Sequence, residues 1–213
     1  MRDQKRRGNV ILEFTLVTAF FLLPMFLFTY AIGFNLLMQL EVVQFTRDAG
    51  HLFVTTQQAF ASTDFIDILD KIGASTGYPT SAQVYFYRVI YVDPATCSAG
   101  LPSTCSNAGN WVIAQFYKDP SGTKPPGFTP TFGDPTGVGT PDSQGNYAAQ
   151  DYVSLAGLNI NTAFSKLGIL PYNSNPTLGL PSGQTVYLVQ AAALPFNVPG
   201  ITSYSALSDY AAF

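Results

Sequence analysis

The sequence is poor in charge, histidine, glutamate and cysteine, and each scarcity removes a class of activity. Only 11 % of its 213 residues are Asp, Glu, Lys or Arg, less than half the roughly 25 % of an ordinary soluble protein. Charge alone cannot keep such a surface in water, so part of the chain is expected to lie against something else. With one histidine, His51, on the polar side of a predicted helix, a His-ligated metal or a Ser-His-Asp arrangement is hard to build. Glu13 and Glu41 are the only glutamates, so a paired-carboxylate hydrolase would have to rest on scattered aspartates. Two cysteines, Cys97 and Cys105, are too far apart for a Cys-x-x-Cys redox pair. Gly-x-Ser-x-Gly, Walker and dinucleotide fingerprints are missing, as are internal repeats. No enzyme activity, cofactor or metal site is therefore expected. The cluster Asp142-Ser143-Gln144-Gly145-Asn146 with Asp151 offers oxygen ligands, but lacks the spacing and closing glutamate of an EF-hand and reads as a polar turn.

What the chain does have is distributed unevenly. Arg2, Lys5, Arg6 and Arg7 supply four of its ten positive charges; without residues 1–8 it would keep six positive and twelve negative charges, a net of −6. That is no nucleic-acid footprint. From Phe14 to Leu40 run 27 residues without a charge, a helix of about 40 Å against a bilayer core of about 30 Å. The flanking basic cluster places the amino end in the cytoplasm by the positive-inside rule, and everything after Leu40 outside. The competing reading is a cleaved secretory signal, whose apolar stretches run about 7 to 15 residues and end at small residues. Here the run is longer and ends in Leu36-Leu37-Met38-Gln39-Leu40-Glu41.

Glu13 lies just inside the apolar run, where an isolated carboxylate costs up to about 2.5 to 3.5 kcal/mol and so needs a partner or a task. The stretch Lys5-Arg6-Arg7-Gly8-Asn9-Val10-Ile11-Leu12-Glu13-Phe14 resembles the class III signal of type IV pilin-like proteins: a basic tail ending at glycine, an apolar run, and a glutamate fifth after that glycine. The resemblance implies that a prepilin peptidase cuts between Gly8 and Asn9 and that the apolar helix stays on the mature subunit. It also implies that Glu13, with Phe14 beside it, serves assembly, the new terminal amine of one subunit pairing with the Glu13 carboxylate of a neighbour. Together with Gly33-Phe34-Asn35-Leu36-Leu37, Gln39 and Arg47-Asp48-Ala49-Gly50, the region of about residues 4–53 is most similar to TadE-like pseudopilins of the tight adherence (Tad) pilus system. One departure is that the proline usual soon after the glutamate is replaced by Thr18-Ala19, the proline being Pro24.

The implied fold is α+β and pilin-like. A leader over 1–8 precedes a long helix over 9–54, transmembrane over about 14–40, and a small antiparallel-sheet head over 55–213. Met38, Val42, Phe45, Ala49 and Leu52 form an apolar stripe, with Glu41, Gln44, Asp48 and His51 opposite, and Pro24 is expected to kink the helix. A second helix is expected from Ser62 as N-cap through Phe65, Ile68, Leu69 and Ile72 to a stop at Gly73. Strands are predicted over 84–92, 111–117 and 185–194, a short helix over 161–167, and a long surface loop over 118–149. Outside the cytoplasm Cys97 and Cys105 would oxidise to a structural disulfide. The resemblance implies a subunit held in the inner membrane, amino end cytoplasmic, before entering an extracellular filament. Its partners would be the peptidase, copies of itself or related pilins, and an assembly platform, with no nucleic acid. A type II secretion pseudopilin and a membrane-anchored extracytoplasmic binding domain or enzyme are the alternatives.

Overall fold

The computed structural model describes residues 2–56, 63–77, 82–94, 97, 105–120, 122–166, 185–197 and 206–213. Helical backbone runs unbroken from Arg2 to Thr56, as α1 (Arg2–Val17), a π-helical turn (Thr18–Leu22) and α2 (Leu23–Thr56). The π turn falls where Pro24 acts. A proline ring crowds the preceding turn and removes one N–H, and widening that turn relieves both effects. Leu23 N–H accordingly reaches back to the Thr18 carbonyl. The helix therefore begins earlier than the sequence suggested and contains Gly8 and Asn9 within α1.

Helix α3 (Thr63–Thr76) continues through Gly73, where a stop was expected, and ends against Gly77 at φ +77°. That left-handed conformation terminates helices and suits glycine; an interior glycine only weakens one. Ser62 lies outside the described residues. Strands β1 (Gln83–Tyr91), β2 (Trp111–Lys118), β3 (Thr185–Ala193) and β4 (Leu207–Ala212) make an antiparallel sheet in the order β2-β1-β3-β4. Three of them were legible as aromatic and β-branched runs. β4 was not, because Leu-Ser-Asp-Tyr-Ala-Ala has little strand propensity and is held by its ladder to β3.

Both faces of the sheet are buried, and the two-residue strand period sorts the side chains. Val84 and Phe86 of β1 join Val189, Ala191 and Ala193 of β3 against Val42, Phe45, Ala49 and Phe53 of α2 and Leu69 of α3. The stripe read from the sequence is thus the seam between helix and sheet, closed by Phe53, whose ring meets Phe86 at 5.5 Å and Tyr187 at 4.9 Å. On the opposite face Tyr85, Tyr87, Val89 and Tyr91 pack with Trp111, Ile113, Leu188, Phe128, Phe132 and Phe164. A bulge between Arg88 and Val89 in the β1–β2 register shifts the parity of β2, so that Phe116 follows Ile113 onto this face.

The segment 118–149 is the irregular, largely exposed stretch expected of a surface loop, but it also closes one face of the sheet. It has almost no regular structure, yet Phe128, Phe132 and Tyr147 are buried and roof the sheet. Backbone without a ladder needs other partners, and buried side chains provide them. Gln190 accepts from Thr131 N–H and donates to Thr131 Oγ1, both at 2.9 Å, while Tyr87 donates to the Gly133 carbonyl at 2.9 Å. Gly145, at φ +76°, lies so close to the Phe116 carbonyl that a Cβ there would overlap it. Short helices Ala149–Ser154 and Asn161–Lys166 complete the roof, only the second of them anticipated. Buried Asn107 ties the first helix down by donating to the carbonyls of Tyr152 and Leu155 at 2.8 and 2.9 Å.

Candidate functional site: the apolar helix and its junction with the head

From Val10 to Thr29 every residue is exposed or half-buried, and thirteen large apolar side chains, among them Phe14, Phe20, Phe21 and Phe26, stand out on all sides. Leaving them in water is unfavourable by tens of kcal/mol on area bookkeeping. The helix Val10–Thr55 has a stretch of mean hydropathy 2.2 that is 0 % buried in the molecule, long and apolar enough to cross a membrane. Thr15 and Thr29 donate to the carbonyls of Ile11 and Met25, each at 2.9 Å, which satisfies their hydroxyls without a neighbour. Glu13 stands exposed on this rod and has no hydrogen bond or ion pair among the described residues, and Phe14 projects beside it. Gly8 and Asn9 lie about one and a half turns before it in α1.

Beyond Thr29 one side of the rod is covered by the head. Asn35, 6 % exposed, donates to the Ala31 carbonyl of its own helix at 2.9 Å and to the Phe196 carbonyl at 2.8 Å, and accepts from Phe196 N–H at 2.9 Å. The Phe196 ring packs at 5.1 Å on Phe34 and 6.1 Å on Tyr30. Higher up, Gln39 donates to the Ser208 carbonyl of β4 at 3.2 Å. Higher still, Gly50 makes room for Phe213, whose ring also meets His51 at 5.0 Å. These junction residues were not assigned such roles from the sequence. The usable signal was that Asn35 and Gln39 are the only amides in the uncharged run, and a buried amide needs a partner. The Gly50–Phe213 contact leaves no trace in the sequence pattern.

The remaining candidates are structural. Cys97 and Cys105 form a disulfide, Cα to Cα 5.8 Å, beside Val92, Val112 and Val153; the intervening residues 98–104 lie outside the described set. Asp142 closes a turn by accepting from the N–H groups of Gln144 and Asn146, each at 2.8 Å, and from the Asn146 amide at 3.1 Å. These hydrogen bonds, chiefly from Asn146, hold its pKa below the usual value. Its oxygens thus serve the turn, and no group of three or more His, Cys, Asp or Glu suited to a metal occurs among the described residues. His51, read as a solvated helix residue, is exposed but packs edge-on to Phe213.

The architecture defines a class: an α+β head carried on a helix apolar enough to span a bilayer. Comparison with known proteins adds no closer assignment, since no family model, no curated protein and no solved structure matches the chain.

Proposed function

We propose that the protein is a structural, pilin-like subunit. It waits in the inner membrane with its amino end in the cytoplasm, is cut by a prepilin peptidase between Gly8 and Asn9, and assembles through its N-terminal helix into an extracellular filament or its initiating complex. The reading that it is TadE-like rests on the N-terminal residues alone. The observation that carries the proposal is Glu13, an exposed carboxylate without a described partner at the threshold of an apolar rod whose far half is the core of a folded head. A simple anchor needs the rod but gains nothing from the acid. A polymerising subunit gains a specified register, because a neighbour's new terminal amine gives the carboxylate a mate in a medium where each charge is costly alone. Glycine at position 8 lowers the cost of opening the helix there for a protease, by about 1 kcal/mol relative to alanine.

Amino-terminal sequencing of the mature protein tests the cut, with Asn9 expected first; an intact Met1, or a start beyond residue 25, overturns it. Glu13→Ala is expected to insert normally in the membrane but to yield less polymer than the parent, and undiminished polymer refutes the charge-pairing step.

A further inference from the structure

Among the described residues outside the long helix, only Leu194, Phe196 and Tyr210 are large hydrophobics that stand exposed, at 45, 36 and 44 %. Two of the three belong to one irregular segment, Leu194-Pro195-Phe196, which leaves β3 and descends along α2 to Asn35. Its level on the rod is informative. On the flank not covered by the head, apolar exposure continues through Leu36, Leu37 and Leu40, about 60 % open each. Leu40 lies five residues past Asn35, about 7.5 Å farther along the axis. A bilayer that covers Leu40 on that flank therefore reaches the level of the segment 194–196 on the other. Val10 to Leu40 spans about 46 Å of helix, close to a bilayer with its headgroup regions at about 40 to 45 Å.

We propose that Leu194–Phe196 is a membrane foot, a piece of the head that dips into the outer leaflet beside the helix while the subunit is in the bilayer. The inference rests on the reading that the helix spans a membrane. Phe196 is held as that position requires. Irregular backbone is tolerated at membrane depth only where its polar groups are satisfied. The Asn35 amide closes both the N–H and the carbonyl of Phe196 and is itself closed by the Ala31 carbonyl. Pro195 brings no N–H to satisfy. Tyr30, Phe34 and Phe196 together form an aromatic cluster of the kind that seats at a bilayer interface. A foot at this depth, fixed to the helix by hydrogen bonds, restrains how far the head can lean from the membrane.

The test uses the full chain in phosphatidylethanolamine and phosphatidylglycerol vesicles containing lipids with a nitroxide near the headgroup or near the chain end. Leu194→Trp, with Phe196→Trp as a second reporter, adds an indole to the foot; native Trp111, fully buried in the head, supplies the background. The added emission is expected to be quenched more by the shallow label than by the deep one, and more than Trp111 by either. Alkaline carbonate extraction is run on the same vesicles. A chain that resists extraction while both reporters escape quenching sinks the foot and leaves the spanning helix standing. Emission that shifts with protein-to-lipid ratio without quenching assigns the foot to a second copy of the chain and also overturns the proposal. Release by carbonate overturns the spanning reading on which it rests.

Discussion

Gly50 offers the sharpest test of how head and helix are joined. It is buried on α2, and a Cβ built there would overlap Cε2 of Phe213, with Cδ2 at 2.9 Å. Two effects of Gly50→Ala oppose each other. Replacing a glycine inside a helix by alanine stabilises by about 0.8 to 1.0 kcal/mol. Displacing the ring costs about 1 to 3 kcal/mol of overpacking and the Phe213–His51 contact, an aromatic pair of the kind worth about 0.5 to 1.5 kcal/mol. The loss prevails by about 0.5 to 3.5 kcal/mol, a fall in Tm of about 1 to 14 °C for a chain of this size. In a Phe213→Ala background the obstruction is gone and only the helical gain remains, so the same substitution should raise Tm by about 2 to 4 °C. The cycle is read by thermal unfolding of the full chain in detergent micelles, following the fluorescence of Trp111, stacked at 4.9 Å on Phe164. A Gly50→Ala change of the same sign in both backgrounds would show that Phe213 does not occupy this notch.

Two further outcomes are expected in the head. Burial, then the nearby Asp134 charge, pushes the Tyr85 hydroxyl up to about 12, and burial foremost also raises Tyr87 well above the ordinary tyrosine value. A folded-state pKa above the unfolded value means that the unfolded chain loses its proton first, so stability is full below about pH 10 and falls as pH rises from 10 toward 12. Phenolate absorbance and circular dichroism should therefore change together in that window, and ionisation of all twelve tyrosines near pH 10 in an intact fold contradicts it. Cys97→Ser with Cys105→Ser opens a nine-residue loop, which on the chain-entropy model costs about 2 to 3 kcal/mol; thermal unfolding that is unchanged in the double variant shows that the bridge contributes nothing to the head.

The elements legible in the sequence were those whose own residues carry the pattern. The stripe Val42, Phe45 and Ala49 declared a helix face because burial on one side leaves a 3.6-residue period, and the alternation in β1 was drowned by burial on both faces yet announced by β-branched and aromatic residues. What escaped was specified across the chain. β4 exists because β3 offers it a ladder, and the roof over 118–149 exists because Gln190 and Tyr87 hold its backbone. Composition says only that such a segment turns often. The same holds at the junction: Asn35 and Phe196 are 161 residues apart, and neither one's local context names the other. Glu13 is different, since its significance lies in the contrast with its own neighbours, which a linear reading displays in full.

The junction also bears on how a filament of such subunits would transmit order. Burial of Val42, Phe45 and Phe53 against the sheet is worth roughly 5 to 9 kcal/mol, at about 1.5 to 3 kcal/mol for each side chain. Asn35, Gln39 and the Gly50–Phe213 contact add ties at three more levels. A head so attached cannot pivot on a linker, because the apolar rod below and the core helix above are one continuous run of helix. In a filament of the proposed kind, contacts made by Phe14 and Glu13 would therefore bear on the sheet through the same helix. Among the described residues, the departure from α-helical geometry between Arg2 and Thr56 is the π turn at Thr18–Leu22 before Pro24, and bending concentrates where the ladder is already broken. That turn lies on the bare half of the rod, between Glu13 and the first tie at Asn35. A bend there would lie below the portion that carries the head, so neighbouring rods could adjust to each other while the junction from Asn35 upward stays intact.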